Sequence, residues 1–209
     1  MVLLLAFITM FIDHLGMFFF PEYDLFRIIW RLSFPLFAWG IVRWYGTTRN
    51  VEKYIKRLFL LAIISQIPVF FTYGLEVFNV IFTLTFGLLA LVLYDYKKLW
   101  KIFKILFLWI IFWISYYFNF EYGIFWILTI LLIHIFWGQK KQIILFALLT
   151  LVFYFNKNLY QLFSIFAFVL LFYTPILKYD FKLNFYFKYL FYPVHFAILY
   201  ILYLYLNIT

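Results

Sequence analysis

The sequence predicts an all-α protein, a polytopic transmembrane bundle of about nine spans. Three observations predict it. Hydrophobic residues make up 69% of the 209 and charged ones only 12%, with a mean hydropathy of +1.04, far from the mixture of a soluble domain. Apolar runs of about 20 residues, the length that crosses hydrocarbon, recur with only short polar breaks. Basic residues gather in alternate breaks. No water-soluble fold of this length could hide that much apolar surface, so a single domain over residues 1–209 without a linker is expected, with the lipid bilayer as its solvent.

Cutting the chain at charges, Pro and Gly gives helices near 1–20, 25–44, 55–73, 78–96, 100–118, 122–137, 141–155, 159–177 and 187–207. The segments 122–137 and 141–155 are short for a full crossing and read as tilted, re-entrant or partly interfacial. The first helix follows Met1 without a basic leader or a small-residue cleavage site, so it is expected to be retained. No internal repeat is visible, and an inverted-repeat transporter therefore lacks its usual sequence trace.

Cytoplasmic loops carry the excess of Lys and Arg. One set of alternate loops holds Arg43, Arg49, Lys53, Lys56 and Arg57, then Lys97, Lys98, Lys101 and Lys104, then Lys140 and Lys141, then Lys178, Lys182 and Lys188. The intervening loops hold only Lys157 among basic residues, with Glu22, Asp24, Glu76 and Glu121. The N-terminus is thus expected in the cytoplasm of a multi-pass inner-membrane protein, with loops 21–24, 74–77 and 119–121 facing outward. The net charge of +9 sits in loops, so it implies topology and no nucleic-acid partner. Cysteine is absent, which removes disulfides, a thiol nucleophile and thiolate ligands. The three histidines are too scattered for a metal signature. Heavy use of Phe, Ile, Tyr and Lys suits an AT-rich bacterial genome.

An ionisable group at membrane depth costs from about 2.5 kcal/mol upward, so it must face a partner or a watery cavity. Asp13 and His14 in the first span are the strongest case, with His14 roughly 20 Å from the inner end of its helix. The plain alternative is a structural carboxylate held by an arginine. Arg31, about 9 Å below the outer start of the second helix, lies at a matching depth. Arg27, one turn earlier, needs only to snorkel to the headgroups. Pro35 removes the N–H that would bond the Arg31 carbonyl, so the helix is expected to open at that turn. Gln66 before Pro68, Asn79, Thr83 and the run Glu121-Tyr122-Gly123 fall at helix ends or interiors, where singly they are more often caps or interhelical bonds than ligand contacts. His195, after Tyr192-Pro193, lies near the midplane and is a second candidate for proton transfer. His134 beside Trp137 is explained by an interfacial position. Arg49, Lys53, Lys56 and Arg57 form the densest basic cluster and could bind a phosphorylated cytoplasmic cofactor, although positive-inside topology alone produces such loops.

The order of motifs adds a resemblance. Asp13-His14-Leu15-Gly16, Arg31 to Ala38 (RLSFPLFA), Gly46-Thr47-Thr48-Arg49-Asn50, Tyr54 to Pro68 (YIKRLFLLAIISQIP), Asn79 to Leu84 (NVIFTL) and Phe191-Tyr192-Pro193-Val194-His195 together resemble the TraX family of membrane acetyltransferases. The likeness is nearly continuous over 11–90 and returns at 119–124 and 189–200. Trp30 stands where the family usually has Gly, and Glu121 where it usually has Asp.

The resemblance implies transfer of an acetyl group from cytoplasmic acetyl-CoA to an amine, such as the N-terminus of a pilin or another peptide, or to an envelope glycan acceptor on the outer side. On that reading His14, Asp13, Arg31 and His195 are the expected catalytic residues. Arg49, Lys53, Arg57 and Gln66 would take the donor; Asn79, Thr83, Glu121 and Tyr122 would take the acceptor. The chemistry suits these side chains. A neutral imidazole can accept the proton that an attacking amine must lose, and Arg31 or Asn79 could donate to the oxyanion. Two other classes would use intramembrane Asp, His and Arg: a proton-coupled transporter or flippase, and a scaffold whose buried charges only pair helices.

Overall fold

The computed structural model describes residues 1–74, 76–154, 159–174 and 183–208. These are helical almost throughout: α1 (Val2–Phe19), α2 (Asp24–Trp30), α3 (Ser33–Thr47), α4 (Val51–Tyr73), α5 (Val80–Asp95), α6 (Lys101–Tyr117), α7 (Gly123–Ile135), α8 (Lys141–Tyr154), a 3-10 turn (Leu159–Ser164), α9 (Ile165–Tyr173) and α10 (Phe185–Ile208). The helix is the economical answer to lipid, because it satisfies its peptide groups internally where no water can. Among the described residues no strand forms, and Phe78 and Phe120 make one isolated bridge. Lys157, Lys178 and Lys182, used above to orient the chain, lie outside the described residues, as does the side chain of Arg27.

Among the described residues four stretches are long and apolar enough to cross a membrane: Val2–Phe19, Asp24–Thr47, Val51–Tyr73 and Tyr186–Leu206. The others are shorter. α5, with 16 residues, rises about 24 Å against a hydrocarbon core of about 30 Å.

One segment opens where Pro35 predicts, and another departs from the expected helix. The run 25–44 is two helices with a break at Arg31 and Leu32, whose N–H groups bond back three residues to Ile28 and Ile29. Pro35 is the cause, since without its N–H the Arg31 carbonyl loses its helical partner and the turn tightens. The run 159–177 begins as a 3-10 turn, in which the Ser164 hydroxyl donates to the Gln161 carbonyl at 2.5 Å.

Contacts divide the chain into two compact units, Met1–Gly40 with Gly138–Thr209, and Ile41–Trp137. In the first unit α1 packs on α2 and α10, while α8, α9 and the 3-10 turn pack together and the turn reaches α2. Val2, Ala6, Leu36, Ala167 and Leu171 form a buried cluster there. Ser33, at the start of α3, donates its hydroxyl to the Ala6 carbonyl at 3.2 Å. Gly16 lets α1 approach α2 closely, since a Cβ on it would lie 2.3 Å from Phe26 Cβ.

In the second unit α5 is central, packed by α4, α6 and α7. It is buried on every side, from Ile81 through Thr85, Leu88 and Leu91, which is why it is apolar all round and carries almost no stripe. α6 is equally apolar yet buries only Ile111 and Ser115 among its residues; Trp109, Trp113 and Tyr116 stand open. In water such a surface would aggregate. In a bilayer it is the lipid face.

Two glycines test this packing. Gly16→Ala drives a methyl into Phe26 Cβ, an atom fixed to its backbone, and is expected to destabilise by about 1–3 kcal/mol. At Gly87 the added methyl clashes with the Cδ1 end of Ile130, which can rotate away, and meets its Cβ and Cγ1 at an ordinary 3.4 Å. Gly87→Ala should therefore cost less, since the roughly 1 kcal/mol helix preference of Ala over Gly applies equally to both positions and only the clash differs. Thermal unfolding of the two variants in detergent checks the order.

Candidate active site

Aromatic contacts reveal how the first and last helices meet. Phe7 touches Phe187 and Phe191, His14 touches His195 and Phe196, and Phe18 touches Phe196, Tyr200 and Tyr203. Numbers rise together along both helices, so α1 and α10 run parallel. If both cross the bilayer, they enter it from the same side. His14 lies roughly 18 Å from the start of α1 and His195 roughly 15 Å from the start of α10 by helix rise, so on that topology both fall well inside the hydrocarbon.

At that level the two imidazoles bond directly: His14 Nδ1 lies 2.7 Å from His195 Nε2. Their planes are inclined by only 18°, with ring centres 4.9 Å apart. The centre separation exceeds the nitrogen separation by about twice the radius of an imidazole ring, so the rings meet edge to edge with the lone pair in line. His195 Nδ1 lies 2.5 Å from the Phe191 carbonyl oxygen, one turn back on its own helix. Both residues are sealed from water, with 6% and 7% of their surfaces exposed. Phe191 lies flat on His195 at 4.6 Å, while Phe196 and Tyr192 present edges to His14. The remaining nitrogen of His14, Nε2, faces Asp13 Oδ2 at 3.7 Å. That is an ion-pair distance, too long for a hydrogen bond.

Arg31 occupies the break between α2 and α3. Its guanidinium stands 4.0 Å over the Trp30 ring, a cation–π contact that gives a physical reason for Trp at this position, and within electrostatic reach of the Tyr154 hydroxyl on α8.

The expected binding residues fall in the second unit. Asn79 is wholly buried and caps α5: its Oδ1 accepts from Ile81 N at 3.0 Å. Its Nδ2 donates to the Ala62 carbonyl at 2.8 Å and to Gln66 Oε1 at 2.9 Å, and its N–H donates to the same Gln66 oxygen. Gln66 Nε2 in turn donates to the Val77 carbonyl at 2.9 Å. Both amide protons of Asn79 are thus committed, which leaves it no donor for an oxyanion and corrects that expectation. The Glu121 carboxylate accepts from Val80 N at 2.9 Å, and its N–H donates to the Phe78 carbonyl at 2.9 Å, so it ties the loop before α7 to the start of α5. Tyr122 sets its ring edge-on to Trp126 at 5.8 Å. Thr83 is wholly buried and its hydroxyl has no hydrogen-bond partner. Arg49, Lys53 and Arg57 are exposed around the start of α4, where Asn50 Oδ1 caps the Lys53 N–H at 2.8 Å.

The structure therefore joins His14, His195 and Asp13, which lie on two helices 181 positions apart in sequence. It gathers Gln66, Asn79 and Glu121 into a second network. One cluster has no counterpart in the sequence reading: Asp95 accepts from the Tyr45 hydroxyl and bonds His134 Nε2, both at 3.0 Å. The available signal was that Tyr45, Asp95 and His134 each end an apolar helix beside a basic loop. An interfacial histidine next to a lone carboxylate pairs readily.

A family model described as TraX protein matches residues 1–203. A probable fimbrial assembly protein, FimC of serogroup H1, from Dichelobacter nodosus is 30% identical over 106 residues, 43% of this chain and 43% of that protein. The matched part thus spans less than half of that relative. No solved structure matches.

Replacing the α5 cap tests its structural reading. Asn79→Ala removes the cap, worth about 0.5–2 kcal/mol, and deletes the Nδ2 donor to the Ala62 carbonyl and to Gln66 Oε1, each bond worth about 0.5–1.5 kcal/mol, while the backbone N–H of residue 79 still bonds Gln66. A clear fall in melting temperature is expected, whatever the variant does to activity.

Proposed function

Because the chain belongs to the TraX family, we propose that it is a membrane-embedded acetyltransferase, moving acetyl from cytoplasmic acetyl-CoA to an amine acceptor presented at the outer side. The observation that carries this reading is the buried His14–His195 pair with Asp13 beside it. An intramembrane ionisable cluster held this tightly is a functional site by default, and its make-up suits removal of a proton from a neutral nucleophile.

The amine lone pair attacks the thioester carbonyl carbon, forming the C–N bond while the carbonyl electrons move to oxygen. His14 takes the proton that the amine nitrogen can no longer keep. Collapse of the oxyanion breaks the C–S bond, and the proton passes from the imidazole to the departing thiolate, giving an amide and free CoA. The Arg31 guanidinium, permanently charged and in a medium of low dielectric, is the group proposed to hold the oxyanion. Arg49, Lys53 and Arg57 are assigned to the phosphates of the donor on charge. The fimbrial relative supports a pilin-like protein as acceptor.

Purified protein in lipid nanodiscs, given labelled acetyl-CoA and a peptide with a free N-terminal amine, should release CoA and yield acetylated peptide. His14→Gln keeps a donor toward His195 but no base, and is expected to lower transfer by about 10²–10⁴-fold with an unchanged melting temperature. A wild-type rate in that variant ends the assignment of His14. Movement of a solute across the membrane without consumption of acetyl-CoA would replace the enzyme reading with a transporter.

A further inference from the structure

We infer that the hydrogen bonds of the pair single out one atom, His14 Nε2, as the proton acceptor, and that His195 is a positioning residue which holds His14 in the tautomer that leaves this atom basic. The assignment of base rests on the acetyltransferase reading; the tautomers rest on geometry alone.

The deduction starts at a carbonyl. The Phe191 oxygen can only accept, so His195 Nδ1, 2.5 Å away, must carry hydrogen. In the neutral ring the other nitrogen then bears the lone pair. His195 Nε2 is therefore an acceptor, and the atom facing it at 2.7 Å, His14 Nδ1, must donate. That proton is committed, and the lone pair of neutral His14 is left on Nε2. The near-coplanar, edge-to-edge rings are the arrangement in which such an N–H···N bond is strongest. Reversing any member of the chain would set two lone pairs or two hydrogens against each other in a place sealed from water.

The consequence is directional. A proton can enter the pair only at His14 Nε2, the nitrogen turned away from His195 and toward Asp13. The carboxylate at 3.7 Å is close enough to stabilise the imidazolium that forms, yet too far to occupy the lone pair in advance. His195 does not meet the substrate; through its Nε2 it accepts the Nδ1 hydrogen more strongly once His14 is charged, and so draws part of the charge away. The same arrangement in hydrolases, a buried acceptor orienting the imidazole of a base, is worth about four orders of magnitude when the wrong tautomer forms.

The test is spectroscopic. In protein labelled with nitrogen-15 at histidine and held in nanodiscs, both His14 and His195 should show hydrogen on Nδ1 at alkaline pH, and on acidification His14 Nε2 should be the first of the four nitrogens to gain a proton. Observation of hydrogen on Nε2 of neutral His14 in the wild-type protein overturns the inference, whether or not acetyl transfer occurs. His195→Ala should release His14 to the Nε2–H tautomer and lower kcat by at least 100-fold with little change in KM for acetyl-CoA. His195→Gln, whose side-chain oxygen can accept from Nδ1, should recover a good part of both the tautomer and the rate. An unaltered His14 tautomer in His195→Ala also overturns the positioning role. Correct tautomers in a protein that consumes no acetyl-CoA would refute the proposed reaction instead and leave the tautomer assignment standing.

Discussion

The nitrogen-to-nitrogen bond between His14 and His195 is the contact on which the candidate site depends. In lipid, two unpartnered imidazoles would each be costly. Placed 2.7 Å apart on parallel helices, each satisfies the other. The bond also fixes register, because sliding α10 against α1 by one turn would separate the rings and leave both polar edges against hydrocarbon. Phe7 with Phe187 and Phe191 below, and Phe18 with Tyr200 and Tyr203 above, hold the same register by packing. Polar pairing and aromatic packing agree on one alignment, the consistency expected of a sequence that specifies a single structure.

Elsewhere the polar groups of the membrane helices separate into two kinds. Asn79 and Gln66 spend their amide donors and acceptors on backbone groups and on each other. Their job is done within the fold: they tie α4 to the start of α5, through the Ala62 carbonyl on one helix and the Val77 carbonyl and Ile81 N–H beside the other. His14 differs, since one of its nitrogens is committed and the other faces a carboxylate without bonding it. Saturated polar groups read as structure, and a group with one atom held in reserve reads as chemistry.

Helix breaks are the second recurring device. Arg31 sits where Pro35 has cost the helix a bond, and its charge is laid over Trp30. A tightened turn leaves peptide dipoles partly unbonded, and a guanidinium there can meet them as well as an incoming ligand. Glu121 serves a comparable end, bonding the first N–H of α5 from a separate loop.

Much of the protein was legible in its residues. Hydropathy alone determines an all-helical membrane protein, because continuous apolar runs of about 20 residues suit helices, whereas the other solution in lipid, a closed β-barrel, is written in short alternating strands. Asp13, His14, Arg31 and His195 stood out since charge and imidazole are costly at that depth, and Pro35 marked the break in advance because a missing N–H is a local fact. Partnership was a different matter. Nothing along the chain says that residues 14 and 195 share a bond, that Asp95 gathers Tyr45 and His134, or that Asn79 has no donor to spare. Local sequence determines which groups must find a partner. Which partner they find depends on helix register and facing across distant segments, and that is settled only when the helices pack.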